Sequence, residues 1–171
     1  TISANTDGTY VIRFTAQDNA ANSNYDEFTL TWDTTAPTVS AGADQSKNTS
    51  FTQTATASDA TSGINAATYQ WAKVSGPGTL TFGTATALGT TILANTVGTY
   101  VISFTASDNA GNSASDNFTL TWILGAEGAT CSTDDQCDIN LDLQCISGVC
   151  AVTAAADVSA SWYTAILCAS S

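Results

Sequence analysis

Gly98 to Trp122 reads GTYVISFTASDNAGNSASDNFTLTW. Ninety residues upstream, Gly8 to Trp32 reads GTYVIRFTAQDNAANSNYDEFTLTW. The match extends outward, since TISAN at Thr1 mirrors TILAN at Thr91. Self-similarity at one fixed period marks a repeat architecture. In the second copy Tyr100, Ile102 and Phe104 alternate with Val101, Ser103 and Thr105, and Phe118, Leu120 and Trp122 alternate with Thr119 and Thr121. Alternation of period two places the large apolar side chains on one face of a half-buried sheet. SDNAGNSASDN, between the runs, is a cluster of turn residues. The stretch therefore predicts two antiparallel strands with a polar loop, and their apolar face requires a second sheet.

Composition narrows the function. The chain has 171 residues and a net charge of −12, with Arg13, Lys47 and Lys73 as its only basic side chains. Such a surface repels phosphate backbones, so nucleic acid is not an expected partner, and anionic membrane surfaces are disfavoured likewise. No apolar run reaches the roughly 18 residues of a transmembrane helix. There is no Met and no signal peptide, and the chain opens in mid-motif at Thr1. A processed protein, or a window from a longer one, is the expectation. All five Cys lie in the last quarter, which points to an oxidising compartment.

Taken in order, residues 1–34 read as the second half of a repeat, with its last three strands. DTTAP, Asp33 to Pro37, is a linker that Pro37 stiffens. Residues 35–122 read as one complete repeat. VSAGADQS opens it as an edge strand and turn, FTQTATA is a second strand, SDATSG a turn and YQWAKV a third strand carrying Trp71. SGPG is a tight turn, and TLTF a short strand before the repeated hairpin. About seven short strands with turn signals every 8–12 residues form the pattern of a β-sandwich.

AGADQS, then YQWAKVSGPGTLTF, then GTYVISFTASDNAGNSAS together resemble the bacterial immunoglobulin-like and polycystic-kidney-disease (PKD) type repeats. The resemblance covers Ala36 to Trp122, and Thr1 to Trp32 as a fragment. It implies an all-β fold of tandem immunoglobulin-like sandwiches in a secreted or cell-surface protein, since known members are spacers, adhesive stalks and accessory modules of secreted enzymes. Tyr100 stands two residues before Ile102, the offset of a tyrosine corner. With no Cys in the sandwich, the expected core is Trp71 packed against Tyr100, Ile102 and Phe104.

Residues 123–150 hold a linker and then CSTDDQCDINLDLQCISGVC, four Cys in a span too short to build a core of its own. Disulfides are expected to hold it. Zinc would favour close CxxC pairs and His, and the chain has no His. Four Cys allow three pairings, and spacing does not choose among them. The segment looks like small CxxDxQC…LxCxxGxC modules of secreted bacterial proteins, and that resemblance implies Cys131–Cys145 with Cys137–Cys150. In the tail, residues 151–171, Val158, Ala160, Trp162, Thr164 and Ile166 alternate with Asp157, Ser159, Ser161, Tyr163 and Ala165, which is a strand pattern. Cys168 is the odd cysteine, a free thiol or half of a link between chains.

No catalytic set emerges. The absence of His removes the usual general base, and neighbours such as Asp26 and Glu27 point to opposite faces of a strand rather than into one cleft. The chain is therefore not expected to be an enzyme. Calcium is the one ligand with a case. Asp18 and Asp108 lie in the two copies of the hairpin loop, Asp33 in the linker and Asp59 in the SDATSG turn. Calcium takes six to eight oxygens, and loop-end carboxylates at a junction are a way to supply them. The ordinary use of Asp and Asn in such loops is turn geometry.

Two functional classes follow. One is an extracellular structural or adhesive protein, a protomer of a surface filament. The other is an accessory module binding carbohydrate or a surface for a secreted enzyme, which calls for an exposed strip of aromatics. Trp32, Trp71 and Trp122 all fall at inward parity, which leaves Trp162, Tyr163 and Tyr25 for such a strip, so the structural class leads. The incomplete first repeat bears on how it assembles. Its face of Tyr10, Ile12, Phe14, Phe28, Leu30 and Trp32 must be covered, by further repeats of a longer precursor or by a strand from another copy. The tail Asp157 to Leu167 has the alternation for that strand, and Cys168 a place to tie neighbouring copies.

Overall fold

The computed structural model describes residues 1–125, 131, 134, 137 and 143–152. The tail strand, Trp162 and Cys168 lie outside the described residues. Strand β1 (Gly8–Gln17) and β2 (Ser23–Trp32) form an antiparallel hairpin in which Gly8 faces Trp32 and Gln17 faces Ser23. This hairpin is a two-stranded sheet by itself. Thr1 to Asn5 is not a strand, so the first copy holds two strands and not three. Its counterpart in the second copy is held between two neighbouring strands, and among the described residues the first copy has neither.

The second copy is a full sandwich. It comprises β3 (Thr38–Ser40), β4 (Gln45–Lys47), β5 (Phe51–Thr54), β6 (Thr56–Ser58), β7 (Ile64–Ser75), β8 (Leu80–Phe82), β9 (Gly89–Ala94), β10 (Gly98–Asp108) and β11 (Ser113–Trp122). One sheet runs β4-β11-β10-β7, with β4 parallel to β11. Opposite it are β5-β9-β8 and the pair β3-β6. FTQTATA, expected to be one strand, is two. Its first part pairs with β9 and its second with β3, and the break falls at Ala55, whose N–H instead donates to the Leu88 carbonyl at 2.9 Å. The hairpin loop is also shorter than the sequence pattern suggests, because the ladder continues through polar residues as far as Ser107 opposite Ser113.

The core is drawn from both sheets. Trp71, Ile92, Ala94, Tyr100, Ile102, Phe104, Phe118, Leu120 and Trp122 are all buried, with Ala41 and Ala55 at the sheet edges. Trp71 packs against Phe104 at 4.8 Å between ring centroids and edge-on to Phe118 at 6.0 Å. Its indole N–H donates to the Ala87 carbonyl at 2.9 Å, so this large side chain is buried with its polar atom satisfied. The Tyr100 hydroxyl donates to the Thr96 carbonyl at 2.5 Å, which closes the tyrosine corner. Tyr10 makes the same bond to Thr6 at 2.6 Å. At the end of β7 the chain turns at Gly76 (φ +119°), where a Cβ would meet Tyr100 Cδ1 at 2.6 Å and the Thr99 carbonyl at 2.8 Å. Only glycine lets the backbone turn so closely against the buried tyrosine.

Beyond the sandwich, β12 (Leu143–Ile146) and β13 (Val149–Val152) form a hairpin. Cys131 is bonded to Cys145 and Cys137 to Cys150, the pairing that the resemblance implies. Cys137 also forms a parallel bridge with Gly125.

Candidate functional site

Asp108 ends β10, at the mouth of the hairpin loop. Its Oδ1 accepts the amides of Ala110 and Asn112, both at 2.9 Å, and its Oδ2 accepts the Asn112 amide group at 2.8 Å. Asp18 repeats this arrangement on Ala20 and Asn22 to within 0.1 Å. A loop that folds the same way with and without a sandwich around it is shaped by local Asx bonding.

What surrounds the two loops differs. Asp108 is 1% exposed. The Asn109 N–H donates to the Gly63 carbonyl, and its side chain to the Ser62 carbonyl at 2.8 Å. This fastens the loop to the β6–β7 turn, where Asp59 sits. Asp59 Oδ1 gathers the amides of Thr61, Ser62 and Gly63 at 2.8–3.1 Å. The linker joins them from the other side. The Asn112 side chain donates to the Asp33 carbonyl at 3.2 Å, and Asp33 Oδ2 accepts the Ser62 amide at 3.2 Å. In consequence Asp33, Asp59 and Asp108 each bring a carboxylate oxygen within 4.8 Å of the others. Three of the four residues read from the sequence as calcium ligands thus converge. Asp18 does not join them, because among the described residues no counterpart of the β6–β7 turn stands beside its loop.

The electrostatics of the cluster are one-sided. The single ion pair among the described residues joins Arg13 to Glu27, away from it. Burial works against the charge of Asp59, but the amides of Gly63, Ser62 and Thr61 together outweigh it and hold its pKa below the ordinary 3.8. Carboxylate oxygens from three separate segments are hard donors of the kind that Ca²⁺ takes, and they supply three of the six to eight it needs. The other close group, Cys131, Cys137 and Cys150, is taken up in the two disulfides.

The second feature is the open face of the first hairpin. Phe104 and Phe118 are 0% and 2% exposed, whereas their counterparts Phe14 and Phe28 are 70% and 51% exposed. Ile2 to Asn5, Tyr10, Ile12 and Leu30 together line a cavity of about 330 Å³. A polar contact differs between the copies too. In the full sandwich the Asp116 carboxylate accepts the Ala41 amide at 2.9 Å, across 75 residues, whereas its counterpart Asp26 holds the amide of the next residue, Glu27. The exposed aromatics do not make one strip, since Phe14 and Phe28 share a face and Tyr25 lies on the other, under Arg13. No helix among the described residues is long and apolar enough to cross a membrane.

Residues 41–121 match the family model described as "K319L-like, PKD domain". Among solved structures, the PKD domain from the KIAA 1837 protein is similar over 49% of this chain and 83% of its own, at 22% identity and a TM-score of 0.39. The D00-D0 domain of intimin is similar over 69% of this chain and 66% of its own, at 17% identity and a TM-score of 0.38. No curated protein matches the chain. PKD and immunoglobulin-like domains ordinarily serve extracellular adhesion or surface interaction. The matched segment carries strands β4 to β10, most of β11 and most of the core described above, so residues 41–121 are similar to a PKD domain, within an all-β sandwich chain that has a disulfide-bonded module behind it.

Proposed function

We propose that this protein is an extracellular structural protein of the adhesive class, working as one link in a series of sandwich units. The observation that carries this reading is the contrast between two copies of one hairpin, one wrapped by a second sheet and the other open. An apolar face beside two strand edges that no described residue pairs with is a surface that another unit is suited to close. The closing unit is a further repeat of the same precursor or another copy of the chain. Closure by another copy joins two different surfaces, so it propagates into an open filament rather than a closed dimer. The test is light scattering and negative-stain microscopy of the purified chain across a concentration series. Concentration-dependent oligomers or filaments are expected. A monodisperse monomer at all concentrations, with fast amide exchange in Val11 to Thr15, rules out closure by other copies.

A second element rests on its own observation, the convergence of Asp33, Asp59 and Asp108. A calcium ion held there ties the linker to the end of the PKD domain and stiffens the joint between units. Calorimetric titration with CaCl₂ tests this directly. Binding that Asp33→Asn abolishes is expected, and absence of heat at millimolar calcium leaves these residues as turn-formers.

A further inference from the structure

We infer that the open hairpin accepts a strand of one particular chemistry, an aromatic–x–Trp–x–Lys segment laid antiparallel along β1, with its Trp opposite Phe14 and its Lys over Tyr10. The inference rests on the proposed closure of this face and names what closes it.

The template is inside the molecule. The edge of β10 that corresponds to the free edge of β1 is taken by β7, with Phe104 opposite Trp71, Ser103 opposite Ala72 and Ile102 opposite Lys73. Tyr69 and Trp71 both lie on the Phe104 ring, at 5.5 and 4.8 Å. Lys73 reaches back over the Tyr100 ring at 5.6 Å and donates to the Gly78 carbonyl. The apolar residues that receive β7 on β10 have their copies on β1, while Ser103 and Ser107 are replaced by Arg13 and Gln17. Tyr100, Ile102 and Phe104 are repeated as Tyr10, Ile12 and Phe14, and the Tyr10 corner is already formed. Phe14 at 70% exposed is the surface that the indole would cover.

Charge selects among possible strands. The hairpin carries Asp18, Asp26 and Glu27 against Arg13. A β7-type strand brings Lys73 and no acid, so it complements this surface. The tail from Asp157 onward brings an Asp and no base. Backbone pairing supplies affinity in such strand addition, and the alternate side chains supply selectivity. Here the selective position is the Trp.

The experiment adds a synthetic peptide of residues 65–81 (NAATYQWAKVSGPGTLT) to the full-length chain at low concentration and follows amide exchange by mass spectrometry. The expected result is slowed exchange in Val11 to Thr15. A peptide with Trp71→Ala should bind at least tenfold more weakly, and so should the parent peptide on a Phe14→Ala chain. A peptide of Asp157 to Leu167 is run beside them. Protection by the tail peptide and not by the β7 peptide overturns the inference and leaves unit-to-unit closure standing. Protection by neither, from a chain that still assembles in scattering, also overturns the inference alone. Protection by neither, from a chain that remains monomeric, removes the inference together with closure by other copies.

Discussion

Trp71 stands directly opposite Phe104 across the β7–β10 ladder, with the two rings 4.8 Å apart. The pair joins the repeated hairpin to the strand that wraps it. Phe14, the copy of Phe104, has no such partner among the described residues, and from this difference follows the first prediction.

Phe104→Ala should destabilise the sandwich by about 3–5 kcal/mol, through lost burial and the cavity left behind. Phe14→Ala, the same substitution in the same repeated motif, should stay within about 0.5 kcal/mol in dilute solution, as exposed substitutions do. Urea unfolding of the two variants checks this. Equal losses would mean that the first hairpin is already covered in solution.

Asp59 governs an acid limb of stability. Its pKa in the folded chain lies below the ordinary 3.8, so its carboxylate contributes stability above that value and loses it as the pH falls through the folded pKa. The melting temperature should therefore drop below about pH 4, and Asp59→Asn should flatten that limb while lowering stability at neutral pH. A pH series of thermal melts, with the exposed Asp26→Asn as control, measures it.

Chelation acts on the same corner of the molecule. With calcium bound at Asp33, Asp59 and Asp108, added EDTA should lower the melting temperature of the sandwich by several degrees, because an ion that binds only the folded state stabilises it by mass action. Asp33→Asn should be insensitive to EDTA, and Asp18→Asn should respond as the parent does. Equal sensitivity of all three chains would place the ion elsewhere.

Reduction should separate the two folded parts. The disulfides close spans of 14 and 13 residues, and a loop of about that length is worth roughly 3 kcal/mol. The hairpin of β12 and β13 has a core of Cys137, Leu143 and Cys150, too small to persist without them. Dithiothreitol should speed amide exchange from Leu143 to Val152 and leave that of Tyr100 to Phe104 unchanged.

The all-β class, the repeated hairpin and the buried set from Trp71 to Trp122 were legible in the sequence, because alternation of period two is a local property that decides which face is apolar. The Asx loops at Asp18 and Asp108 were legible for a like reason, since their bonds span two to four residues. What local pattern does not carry is partnership across the chain. FTQTATA alternates as one strand, yet it divides at Ala55 because its halves pair with strands in two different sheets. Asp33, Asp59 and Asp108 are separated by tens of residues, and only the docking of the hairpin loop onto the β6–β7 turn brings them together. Asp18 shares its motif with Asp108 and stays out of the cluster for want of that turn. The same holds for Phe14 and Phe104. Sequence makes them equivalent, and the tertiary structure alone separates them, because burial depends on which strands lie alongside and not on the residue itself.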